Sequence, residues 1–93
     1  MDNQERKVLI DAIVHYGMES RRTLAIEEMS ELIKEICKDS RGMTHLEHIA
    51  EEIADVEIMM EQLKIMYSLW DHVGEFRKEK IERLEYRIKN NEK

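Results

Sequence analysis

The sequence predicts an all-α protein, a four-helix antiparallel bundle that works as an oligomer. Three observations predict it. The 93 residues hold no Pro and three Gly, with 42% hydrophobic and 39% charged residues, which suits helices and offers little for sheet. Apolar residues recur at helical spacing along four segments, clearest in Leu46, Ile49, Ile53, Val56, Met60, Leu63 and Tyr67. Turn and cap residues separate those segments at Gly17, Asp39–Met43 and Asp71. A chain of this length forms a single domain, residues 1–93.

The first helix is expected over Gln4–Tyr16, where Val8, Leu9, Ala12, Ile13 and Tyr16 form one stripe. Gly17 ends it as a left-handed cap, and Met18–Arg22 reads as a charged linker. The second helix is expected over Thr23–Lys38. Thr23 caps its start, Ala25, Met29, Leu32, Ile33 and Ile36 follow the period, and Lys34 and Lys38 suit its negative C-terminal end.

The third helix is expected from Thr44 to about Ser68. T-H-L-E is a capping box in which Glu47 reaches back to the Thr44 amide. Ala54, Ile58 and Ile65 lie off its main apolar arc, so this helix is greasy on two sides and needs two partners, the bundle core and a second subunit. Asp71 caps a fourth helix over His72–Lys89, with a stripe of Val73, Phe76, Ile81, Leu84 and Ile88. Lys80 stands inside that stripe and Arg83 and Arg87 flank it.

Composition limits the function. A formal net charge of −6 disfavours nucleic-acid polymers and membrane surfaces as partners. No run reaches transmembrane length, and the opening MDNQERK lacks an apolar signal region. Cys37 is the lone cysteine, so the chain is expected in the reducing cytoplasm, with Cys37 a small buried apolar residue.

The chemistry lies in the acids. Glu52 falls inside the apolar arc of the third helix, flanked by Ile49, Val56, Met59 and Leu63, and Asp55 follows one turn on. A carboxylate in apolar surroundings must protonate, find a cation or accept several hydrogen bonds. The second helix carries its own pair, Glu28 and Glu31, with Glu28 at the edge of the arc next to Leu32. In an antiparallel hairpin turning at Asp39–Met43 the two pairs lie at matching distances from the turn, so four carboxylates converge at one level. Mg²⁺, a hard ion that takes oxygen ligands, relieves that repulsion, with Mn²⁺ as an alternative. Zn²⁺ fits less well, because no His or Cys falls at helical spacing within the cluster. Glu27, Glu35 and Glu51 read as solvating charges.

A-I-E-E-M-S-E-L-I-K-E-I followed by H-I-A-E-E-I-A-D-V-E-I, with E-E-x-x-E at Glu27–Glu31 and E-x-x-D at Glu52–Asp55 after a gap of 20 residues, resembles the MazG-like all-α nucleoside triphosphate pyrophosphohydrolases. The match covers about Ala25 to Leu63, and K-I-E-R at Lys80–Arg83 is a weaker echo of the family's last helix. The resemblance implies that Glu28, Glu31, Glu52 and Asp55 are the metal ligands. It also implies cleavage between the α- and β-phosphates of an NTP or dNTP, giving the monophosphate and pyrophosphate; the second apolar side of the third helix adds the expectation of a homodimer or homotetramer. Glu27 then orients the attacking water, and Lys80, Arg83 and Arg87 meet the departing pyrophosphate. The chain departs from the pattern at Leu84, where the family often carries Asn. His15 and Tyr16 are the aromatic groups offered for stacking on a base. Two rivals stand beside this reading. One is a catalytically silent oligomerisation or regulatory bundle that binds metal or nucleotide without turnover. The other, a di-iron carboxylate bundle, needs Glu-x-x-His pairs, and none of the four His has Glu three residues before it.

Overall fold

The computed structural model describes residues 1–43 and 45–91 and consists of four helices with no strand among them. They are α1 (Asn3–Tyr16), α2 (Met18–Ser40), α3 (Leu46–Met66) and α4 (Trp70–Lys89). The all-α fold follows the sequence; several helix ends do not.

Asp2 caps α1 by accepting the Glu5 amide at 2.8 Å. Gly17 stops it with φ +91° and ψ 152°, a conformation that only glycine adopts without strain. The break is one residue long. α2 resumes at Met18, so Met18–Arg22 is helix and not linker. Thr23 is accordingly no cap: its hydroxyl donates to the Glu19 carbonyl at 3.1 Å, inside the helix. The reason is that α2 needs no side-chain cap, since Gly17 already turns the chain and its carbonyl accepts the Arg21 amide.

α2 and α3 both close with paired capping bonds around a left-handed residue. After α2, Gly42 (φ +70°) lets the Met43 amide reach the Lys38 carbonyl and its own amide reach Asp39. After α3, Ser68 (φ +53°) does the same, with Leu69 bonding Lys64 and Ser68 bonding Ile65. α3 therefore ends at Met66, before Ser68. Its first helical residue is Leu46, with His45 as the cap position; the expected Thr44 cap lies outside the described residues. α4 starts two residues earlier than expected. Leu69 holds its cap position without a side-chain bond, and Asp71 sits in the first turn, where its charge suits the helix dipole.

α2 and α3 pack along each other as the antiparallel hairpin, and α1 lies against both. The facing stripes are Ala25, Glu28, Leu32 and Glu35 on α2, and Glu52, Asp55, Met59 and Gln62 on α3, each at i, i+3, i+7 and i+10. Ala25, Met59, Gln62 and Glu35 are buried. The α3 stripe is rotated from the expected arc: Leu46, Ile53 and Tyr67 of that arc are exposed. The cause is Gln62. Its amide donates to the Leu9 carbonyl at 3.2 Å and its oxygen accepts from Arg21 Nε at 3.1 Å, tying all three helices at one buried point. Cys37 is exposed rather than buried.

α4 packs its backbone against α3 alone among the described helices and touches α1 through one side chain, and every residue from Tyr67 to Asn91 is exposed. Trp70 anchors its start beneath two cations, Lys64 Nζ at 4.4 Å and the Arg6 guanidinium at 5.6 Å from the ring centre. The molecule is correspondingly extended. Its radius of gyration is 16.2 Å, against about 12 Å for a compact chain of this length.

Candidate metal centre

The inward stripes carry the acids to one place. Glu28 on α2 and Glu52 and Asp55 on α3 are each half-buried, and each offers a carboxylate oxygen within 4.8 Å of the other two. The hairpin explains why. Chain reversal at the turn between α2 and α3 brings Glu28 of α2 to the level of Asp55 of α3.

The carboxylates act on one another electrostatically. The Glu28 carboxyl is held above the usual range by loss of hydration, then by the Asp55 charge and a hydrogen bond to Asp55, with Glu52 and Glu31 adding to it. Glu52 is raised by loss of hydration, then by Asp55, Glu31, Glu51 and Glu35. Its Oε2 is covered and accepts no hydrogen bond. Among the described residues no Lys or Arg pairs with Glu28, Glu52 or Asp55.

Glu31, the fourth expected ligand, is exposed and stands outside the triad, near enough that its charge acts on Glu28 and Glu52. Glu27 is exposed on a different face, where it lines a shallow groove with Tyr16, Arg21 and Leu24. Lys80, Arg83 and Arg87 are exposed on α4, which does not approach α2. Glu35, expected as a solvating charge, is instead buried; it accepts from Lys38 at 3.4 Å and its charge bears on Glu52. Its spacing could have announced it, since Glu28, Glu31 and Glu35 stand at i, i+3 and i+7.

No family model, no curated protein and no solved structure matches this chain.

What the triad can do follows from its donors. All are hard carboxylate oxygens, which suit Mg²⁺ or Mn²⁺. In an octahedron with ligands at about 2.1 Å, opposite donors stand about 4.2 Å apart, so a spread of 4.8 Å closes onto an ion with small side-chain rotations. The uncovered bonding capacity of Glu52 Oε2 is what an ion would satisfy.

The raised carboxyls set a pH dependence. The folded chain holds protons on Glu28 and Glu52 more tightly than the unfolded chain, whose value is 4.5. Without metal, their contribution to stability is therefore fully present below that value and is lost as pH rises through the raised folded values. Melting in EDTA should show wild type gaining less than a Glu28→Gln/Glu52→Gln variant as pH falls from neutrality only if this sign is wrong; the expected result is the larger gain in wild type.

Proposed function

We propose that this chain is a Mg²⁺-dependent nucleoside triphosphate pyrophosphohydrolase of the MazG-like kind, acting in the cytoplasm as a homodimer or homotetramer. It cleaves the α–β phosphate bond of an NTP or dNTP to give the monophosphate and pyrophosphate. One observation carries the reading: three half-buried carboxylates from two helices converge within 4.8 Å, and among the described residues no Lys or Arg pairs with them.

Glu28, Glu52 and Asp55 are the primary ligands, and Glu31 completes the set by a side-chain rotation from the same turn of α2. A bound Mg²⁺ supplies charge to hold the phosphates and a water of lowered pKa for in-line attack. Glu28, Glu52 and Asp55 would hold the ion as carboxylates, each offering one oxygen. Buried Glu35, paired with Lys38, adds a carboxylate whose charge bears on Glu52. Glu27 lies on a different face of α2, and Lys80, Arg83 and Arg87 lie on α4 away from α2, so neither water orientation nor pyrophosphate binding falls to them within one chain.

The test is pyrophosphate release from a panel of NTPs and dNTPs, with Mg²⁺ and with EDTA. Turnover with Mg²⁺ and none with EDTA is expected. Mg²⁺ at about 100 times its dissociation constant should also stabilise the fold by about 2.7 kcal/mol. Stabilisation without turnover would select the silent metal-binding bundle. That rival draws on the exposed position of Lys80, Arg83 and Arg87, away from α2.

A further inference from the structure

The geometry points to α4 of one chain docking in the groove between α1 and α3 of a second copy. This rests on the oligomeric part of the proposed function and not on its metal chemistry.

The groove has about 610 Å³ and is floored by Val8, Leu9, Ala54 and Ile58. Three acids, Glu5, Glu57 and Glu61, line it, and no Lys or Arg does. Glu61 has one oxygen on Lys64 at 2.9 Å, while its Oε2 is covered and without a hydrogen-bond partner. That oxygen lacks a donor, and the side chains lining the groove include three acids and no Lys or Arg.

α4 offers donors and positive charge. On a helical wheel one face about 140° wide holds Val73, Phe76, Ile81, Leu84 and Ile88. Arg77, Lys80 and Arg87 lie on that same face, and no acid does; Asp71, Glu75, Glu79, Glu82 and Glu85 all fall outside it. The whole face is exposed in the single chain. An apolar, cationic helix face thus stands uncovered in a molecule that also presents an apolar, acidic groove.

The area agrees. The chain exposes 7593 Å², about 1,900 Å² more than a compact monomer of this mass. Two copies covering such an excess would bury an interface in the range of obligate dimers. A two-fold exchange, each α4 in the other's groove, closes the assembly without leaving a free edge.

Charge exchange between two variants tests it, read by sedimentation equilibrium. Glu5→Lys/Glu57→Lys alters the groove and Arg77→Glu/Lys80→Glu alters α4; all four side chains are exposed, so circular dichroism should be unchanged. Wild type is expected as a dimer. Each variant alone should dissociate at least about tenfold more readily, because like charges then face each other. An equimolar mixture should regain the dimer mass, since the Glu-bearing α4 meets the Lys-bearing groove and the wild-type α4 meets the wild-type groove. A monomeric wild type overturns the proposal, as does a dimer insensitive to both variants. A mixture that stays monomeric also overturns it, and assigns the groove to the chain's own α4 folding back at Ser68. None of these readings depends on phosphate release.

Discussion

Glu52→Gln should lower Mg²⁺-dependent pyrophosphate release by more than about 100-fold while leaving the helical content intact. Partners that merely support metal ligands already contribute 10- to about 100-fold, so loss of a ligand should exceed that. Glu52 is chosen over Glu28 because its Oε2 is covered and accepts no hydrogen bond, so that oxygen has no protein partner to lose. The substitution keeps volume and removes charge, which separates chemistry from packing. In EDTA the variant should melt at the same temperature as wild type or higher at neutral pH, because burial and the charges of Asp55, Glu31, Glu51 and Glu35 all oppose ionisation there. Mg²⁺ should no longer raise its melting temperature. Near-normal turnover in this variant would remove Glu52 from the site, and with it the metal reading of the triad.

Gln62→Ala should produce the largest loss of stability of any single substitution on α3, about 2–4 kcal/mol. Gln62 is 1% exposed, the most deeply buried side chain described. Its removal leaves the Leu9 carbonyl and Arg21 Nε without their bonds and opens a cavity where α1, α2 and α3 meet. For a domain of this size, thermal unfolding should fall by about 10–25 °C. Gln62→Leu separates the two causes, since it restores volume but not the hydrogen bonds. A melting temperature as low as that of Gln62→Ala would assign the effect to the polar contacts; full recovery would assign it to packing. A wild-type-like Gln62→Ala would show that the three helices are not joined through this residue.

The architecture was legible because helical periodicity and the absence of Pro act locally. Four helices and the α2–α3 hairpin follow from Val8–Tyr16, Ala25–Ile36, Leu46–Tyr67 and Val73–Ile88. The ends were less legible. Gly17 signals a stop, but nothing in Met18–Arg22 says that the helix restarts at once, because the deciding factor is Gly17's dihedral pair. Ser68 stops α3 in a left-handed conformation that its side chain does not announce.

The candidate site was half legible. Glu28, Glu52 and Asp55 were readable from their spacing and from the apolar neighbours of Glu52. Glu31 and Glu35 exchanged places, the first outside and the second buried. A helical wheel ranks such neighbours only after the facing stripe is known, and here that stripe includes Gln62, bonded to Leu9 and Arg21.

By itself the sequence determined the all-α class, the helical segments, the turn at Asp39–Met43 and the pairing of acids across it. These depend on short-range periodicity and on chain reversal, both of which a linear pattern carries. The rotation of α3, the burial of Glu35, the closeness of three carboxylates and the exposure of α4 were decided only in three dimensions. Each depends on which side chains of distant segments meet, and a buried polar contact such as Gln62 can turn a whole helix face toward or away from its neighbour.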